Sequence, residues 1–233
     1  MNLVKIAGPA FFGTTLLALT GCSFNPPSAQ DLDRPPSGLL VEEQEVGKSL
    51  PPAGLQIRPV HPKGLKLTKV SEGWVARLYN DAAGYCTIGY GHLIKKSRCN
   101  GTEPTEFLSS ITEARGTTLL TEDMGGAQIA VATAVKVPIN DLQYSALTDF
   151  VFNVGAANFR SSTLLKRINA NQFDQVPVQL RRWTQAGGKT YPGLVTRRER
   201  EIALFFDGQP VPRELPRAGE DVSEVDVRTG EKR

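Results

Sequence analysis

The chain has 233 residues, 40% of them hydrophobic and 22% charged, with a formal net charge of +3. That is enough for one sizeable domain with appendages. So slight a charge excludes the concentrated basic face of a nucleic-acid binder, and no nucleic-acid partner is expected; weak contact with an anionic polymer suits it better.

Lys5 opens the chain with a positive charge, and an apolar stretch follows from Ile6 to Leu19, interrupted by Gly8 and Pro9. It is too short and broken for a transmembrane span of about 20 residues, and it fits an export signal ending in small residues. Leu19-Thr20-Gly21-Cys22 closes it. This tetrapeptide resembles the lipobox of bacterial lipoproteins. The resemblance implies that 1–21 is a lipoprotein signal peptide and that Cys22 carries lipid as the new N-terminus. Ser23 after it implies the outer membrane, with the protein facing the periplasm. A plain signal peptide followed by a chance cysteine is the alternative. Residues 22–65 read as the lipidated cysteine and a proline-rich linker, with Pro26-Pro27, Pro35-Pro36 and Pro51-Pro52 and no sustained apolar period. His61 falls in it and has no expected role.

Export places the chain where thiols pair. Of its three cysteines, Cys86 and Cys99 remain once Cys22 is lipidated, the right number for one bridge. Two unpaired small core residues are the other reading.

A compact domain is expected over 66–207. Leu67, Val70, Trp74 and Leu78 recur at three to four residues and predict an opening helix. Asn80-Asp81-Ala82-Ala83-Gly84 is turn chemistry, and Tyr85 to Tyr90 reads as a short strand. Thr112 caps a helix, and Thr121-Glu122-Asp123 is expected to start or continue another that runs to Val137, stopped by Pro138. Asp141 to Val154 carries Leu142, Ala146, Leu147, Phe150 and Val151 on one face and ends at Gly155. Ser161 or Ser162 caps a helix through Ile168, and helices over 173–183 and 194–206 complete the set. The fold class is α+β, mainly α: a small N-terminal β-hairpin lobe, then a helical C-terminal lobe. The polar residues 208–233 read as a disordered tail.

Glu72 lies near Trp74, whose ring would form an apolar wall that keeps a carboxyl protonated, as a general acid must be. Asp81 sits in a polar turn and should stay ionised. Such a pair suits glycosidic hydrolysis, one group protonating the leaving oxygen and the other activating water. Among 24 acidic residues, two carboxylates nine positions apart are weak evidence alone.

The surroundings add to it. Ser71 to His92 reads Ser-Glu-Gly-Trp-Val-Ala-Arg-Leu-Tyr-Asn-Asp-Ala-Ala-Gly-Tyr-Cys-Thr-Ile-Gly-Tyr-Gly-His. It resembles the active-site region of the phage-type lysozymes, glycoside hydrolase family 24. Ala146 to Leu165, and Arg182-Trp183 through Pro192-Gly193-Leu194 to Arg197-Arg198-Glu199, resemble later blocks of the same family. The resemblance covers nearly all of 66–207 and implies a lysozyme-like two-lobe fold and a muramidase. It would cut the β-1,4 bond between N-acetylmuramic acid and N-acetylglucosamine in peptidoglycan, with inversion. Glu72 would be the general acid, Asp81 would position or activate water, and Thr87 would help hold it. Asn153 would line the saccharide site, or else be a satisfied buried amide. Arg197 and Arg198 would bind substrate carboxylates, or else pair with Glu199 and Glu201. His92 is expected to be structural, near the hairpin and Glu72. No cofactor is expected. Nor is a metal, since His61 and His92 lack ligand spacing.

A Cys86–Cys99 bridge would pin the hairpin beside the catalytic water. The anchor and linker suggest a resident envelope enzyme, working with a secretion or conjugation machine. Two other functions stay open: a lytic transglycosylase, which needs a single acid and makes an anhydro sugar, and a non-catalytic lipoprotein that grips peptidoglycan.

Overall fold

A computed structural model describes residues 51–212 and 215–232. The signal segment, Cys22 and most of the linker lie outside the described residues. Among the described residues no helix is long and apolar enough to cross a membrane.

The first helix, α1, spans Pro62–Glu72. Pro62 sits at its first position, where a missing N–H costs nothing. The cap is His61, whose Nδ1 accepts the Lys63 N–H at 3.2 Å and whose own N–H donates to Ser145 Oγ at 2.8 Å. Just before it, Arg58 donates to Ile139 O at 3.0 Å and covers the Tyr144 ring. The domain therefore begins several residues before 66, inside the stretch read as linker, and His61 has a structural role. At the other end Gly73, with φ of 69°, stops the helix. The apolar period through Trp74 and Leu78 thus belongs to two elements, because a residue at positive φ breaks the helix between them.

Three antiparallel strands follow in the order β1–β2–β3: β1 (Val75–Asn80), β2 (Cys86–Gly89) and β3 (His92–Lys95). Tyr79 pairs with Thr87 and Asn80 with Cys86. Register shifts interrupt both ladders, and such bulges re-aim side chains. Ile88, Phe107, Ile111 and Leu119 form the core beneath this sheet. Trp74 lies on the Tyr90 ring, with centroids 5.0 Å apart. Its indole also rests on Gly116 of α2 (Glu113–Asp123), where an added Cβ would come within 2.1 Å of Trp74 Cζ3.

Thr112 caps α2 by accepting the Arg115 N–H. The chain bends at Met124 and continues as α3 (Gly125–Ala134), so the second helix begins there and Thr121-Glu122-Asp123 closes α2. At the centre lies α4 (Asp141–Val154), closed at its start by a capping box of Asn140 and Gln143. Then come α5 (Ala156–Ser161), α6 (Thr163–Asn169) with Ser162 as cap, and α7 (Val176–Arg181). A two-stranded ladder, β4 (Gln185–Ala186) and β5 (Lys189–Thr190), leads to α8 (Pro192–Phe205). Leu147, Phe150, Val151 and Val154 of α4 are fully buried against Leu194, Ile202 and Phe205 of α8. Trp183 meets Phe150 edge-on at 5.4 Å.

The segment read as a disordered tail is seated on this core. Val225 and Val227 are 3% and 0% exposed. Their N–H groups donate to Arg182 O at 2.7 Å and Gln185 O at 2.8 Å. Arg182 in turn donates to Ser223 O and pairs with Asp221. Polar composition concealed this because only two valines need burial, and their site is supplied by residues far away in sequence.

Candidate active site

The hairpin supplies one half of the expected constellation. Asp81 follows β1 directly and closes the turn into β2. Its N–H donates to Tyr85 O at 2.9 Å, and its Oδ1 accepts the Tyr85 N–H at 2.8 Å. Thr87, on β2, is buried at 2% exposure and donates through Oγ1 to the same Tyr85 carbonyl at 3.1 Å. One backbone unit thus ties Asp81 and Thr87 together.

The disulfide Cys86–Cys99 is formed. It joins β2, one residue before Thr87, to the loop after β3, and the Cys99 N–H donates to Asn80 Oδ1 at 2.8 Å. Behind it Glu103 accepts the Asn100 and Gly101 N–H groups at 2.8 Å and pairs with Lys95 at 2.7 Å. The Lys95 ammonium, then the backbone donors, hold the Glu103 pKa down at about 2. Among the described residues, the grouping of possible metal ligands is Cys86, Cys99 and Glu103. Its two sulfurs are bonded to each other, so it offers no thiolate.

Glu72 supplies the other half. It is the last residue of α1, and its side chain is 20% exposed. Its Oε1 accepts from Arg197 Nη1 at 2.6 Å. The Trp74 indole, expected to wall it off, packs on Tyr90 and Gly116. Arg197 is itself held by Asp149 of α4 as a two-pronged pair, Nε to Oδ2 at 3.0 Å and Nη2 to Oδ1 at 2.9 Å. Burial alone would lower the Arg197 pKa, but Asp149, Glu72 and Glu201 outweigh it and hold it above the ordinary value.

Arg198 is fully buried, against the expectation that it meets substrate. Its Nη1 donates to Glu201 Oε2 at 3.0 Å, its Nη2 to Asn153 Oδ1, and its guanidinium lies over Phe150. Asn153, 4% exposed, has its amide oxygen taken by that arginine. Both are therefore placed inside the charge cluster. Of the pairings considered for the arginines, Arg198 meets Glu201, while Glu199 is taken by Arg181. His92 Nδ1 donates to Asp123 at the end of α2 at 2.9 Å, which locks β3 to that helix.

Asp149 and Asp123 were given no site role from the sequence, and Glu201 entered only as a possible partner of the arginines. A signal existed for the first: Asp149 and Asn153 lie four apart in the apolar second half of the helix, hence on one face.

The phage lysozyme family model matches residues 69–201, more than half of the chain and all of the site just described. The chain belongs to the phage lysozyme family. It is 42% identical over 136 residues to the SAR-endolysin of bacteriophage PS119, covering 58% of this chain and 77% of that one. It is 35% identical over 150 residues to the endolysin of Acyrthosiphon pisum secondary endosymbiont phage 1, covering 63% and 97%. Among solved structures, the endolysin from Escherichia coli phage FAHEc1 aligns with a TM-score of 0.57 at 30% identity, covering 67% and 99%. The muramidase domain of SpmX from Asticaccaulis excentricus aligns at 0.54 and 28%, covering 63% and 96%. The chain is accordingly a glycoside hydrolase of the lysozyme type with peptidoglycan as its substrate. Residues 208–233 lie beyond the matched family region.

Proposed function

We propose that the enzyme is a muramidase that hydrolyses the β-1,4 bond between N-acetylmuramic acid and N-acetylglucosamine with inversion. Glu72 donates its proton to the leaving glycosidic oxygen. Asp81, with Oδ1 engaged by the Tyr85 N–H, turns Oδ2 to the attacking water and takes its proton as the new bond to the anomeric carbon forms. Thr87 keeps the turn beneath Asp81 in shape, and its hydroxyl oxygen retains lone pairs for that water. Inversion asks for carboxyl groups about 6.5–9.5 Å apart, with room for one water between them.

The observation that carries this reading is that Glu72 and Asp81 are held by separate devices on separate elements. Glu72 is fixed by Arg197 at a helix end, and Asp81 by a strand turn. A lytic transglycosylase needs the acid alone and gives no reason for a braced Asp81. A gripping protein without activity gives no reason for either.

Product analysis on purified sacculi tests it. The expected products carry reducing ends, not anhydro ends, and Glu72→Gln should lower the rate by about 100- to 10,000-fold with the fold intact. Anhydro products, or substantial clearing by the variant, would reject the reading.

The location we infer is the periplasmic face of the outer membrane, through lipid on Cys22, with the proline-rich segment as a tether. A resident envelope enzyme that opens the wall for a secretion or conjugation machine suits such a tether. Palmitate labelling that persists in Cys22→Ala would end the anchor proposal.

A further inference from the structure

Three carboxyl groups surround two guanidiniums at the junction of α1, α4 and α8. Asp149 and Glu201 bring two carboxyl groups to Arg197 and Arg198, and Glu72 takes the remaining nitrogen of Arg197. Asp149, Glu201 and Arg198 are completely buried, so water cannot screen the two carboxyl groups from each other. Glu201 Oε2 is satisfied by Arg198 at 3.0 Å, but Oε1 is buried without a donor, and Arg197 Nε stands 3.7 Å away. The neighbour within its reach is Asp149, another carboxyl group. Two facing carboxylates without a hydrogen between them repel, and one proton converts that contact into a hydrogen bond. Burial first, then the Asp149 charge, push the Glu201 pKa well up, against the opposing pull of both arginines.

We propose that Glu201 is a positioning residue that acts as a neutral carboxylic acid: the proton on Oε1, donated to Asp149, joins the two facing carboxyl groups and fixes Arg197 against Glu72. The acting sequence is a chain of contacts. Glu201 steadies Asp149 and Arg198, Asp149 grips the Arg197 guanidinium through Nε and Nη2, and Nη1 holds Glu72. The positioning role rests on Glu72 being the acid, whereas the neutral state of Glu201 does not.

Two readouts separate these. Infrared difference spectra of Glu72→Gln against Glu72→Gln/Glu201→Gln at neutral pH should contain a protonated-carboxyl stretch lost with Glu201; this needs no activity and removes Glu72 as a source of the band. A flat difference would overturn the proposal. In the Glu72 background, Glu201→Gln keeps a neutral donor and should retain most of kcat. Glu201→Ala should lower kcat by about ten-fold or more with KM nearly unchanged, since small misplacements of a reacting group are costly. Equal losses in both variants would mean that a charge was needed at 201, and an unchanged kcat in Glu201→Ala would mean that nothing was positioned. Either result rejects the inference. If Glu201→Ala fails to fold, the infrared band and the Glu201→Gln rescue still decide it.

Discussion

Around Asp81 the chain is held by backbone hydrogen bonds and one covalent bond; around Glu72 it is held by charge. The hairpin lobe has a small core of four buried residues, Ile88, Phe107, Ile111 and Leu119, and a surface turn cannot be fixed by packing alone. A disulfide and the anchored Glu103 stand in for the missing mass. The helical lobe has a large core and can bury Asp149, Asn153, Arg197, Arg198 and Glu201 together inside it, each oriented by its neighbours. Reacting groups can thus be immobilised either by cross-linking a thin region or by embedding charge in a thick one, and this enzyme uses one method on each side.

The contrast can be broken from the helical side first. Asp149→Asn leaves Arg197 buried without its main partner, and unpairing a buried ion costs about 3–5 kcal/mol. Chemical denaturation should register that loss, and the residual activity should fall with it because Glu72 loses its brace. On the hairpin side, Cys99→Ser should cost about 3 kcal/mol by freeing a short loop in the unfolded chain. Its activity should drop too, since β2 carries Thr87 next to the bond. An unchanged melting temperature and unchanged activity would remove the disulfide from the account. Outside both halves, Val227→Ala removes two buried methyl groups from the C-terminal seat and should cost about 2 kcal/mol. Activity measured well below the melting temperature should be unaffected.

The gentlest probe is pH. With its folded pKa at about 2 against an ordinary 4.5, Glu103 contributes stability that is complete above about pH 4.5 and is lost as pH falls toward 2. Glu103→Gln should be less stable than the parent near neutrality and converge with it in acid. Parallel acid unfolding curves would show that the anchor is idle.

What the sequence disclosed followed from how local the cause was. The helix over Asp141–Val154 was legible to the residue, because its cap, its apolar face and its terminal glycine all lie within a few positions of one another. The end of α1 was not, since the same apolar period runs on through Trp74 and only the backbone at Gly73 changes direction. Glu72, Asp81 and Thr87 could be singled out by spacing and by family likeness, and the Cys86–Cys99 pairing by counting. The partners that hold Glu72 were hidden because they join positions 72, 149, 197 and 201. The tail was misread for the same reason: Val225 and Val227 are too few to form a pattern, and their seat is made by Arg182 and Gln185.

The contact between Trp74 and Gly116 also bears on how such a sequence can drift. Any side chain at 116 would occupy space the indole already fills, so the two positions can exchange bulk only in one order. Residue 74 has to shrink before residue 116 can grow, and the intermediate is left with a void beneath Tyr90. Lineages would therefore tend to keep both residues or to lose both, and a double-mutant cycle across the pair should be strongly non-additive.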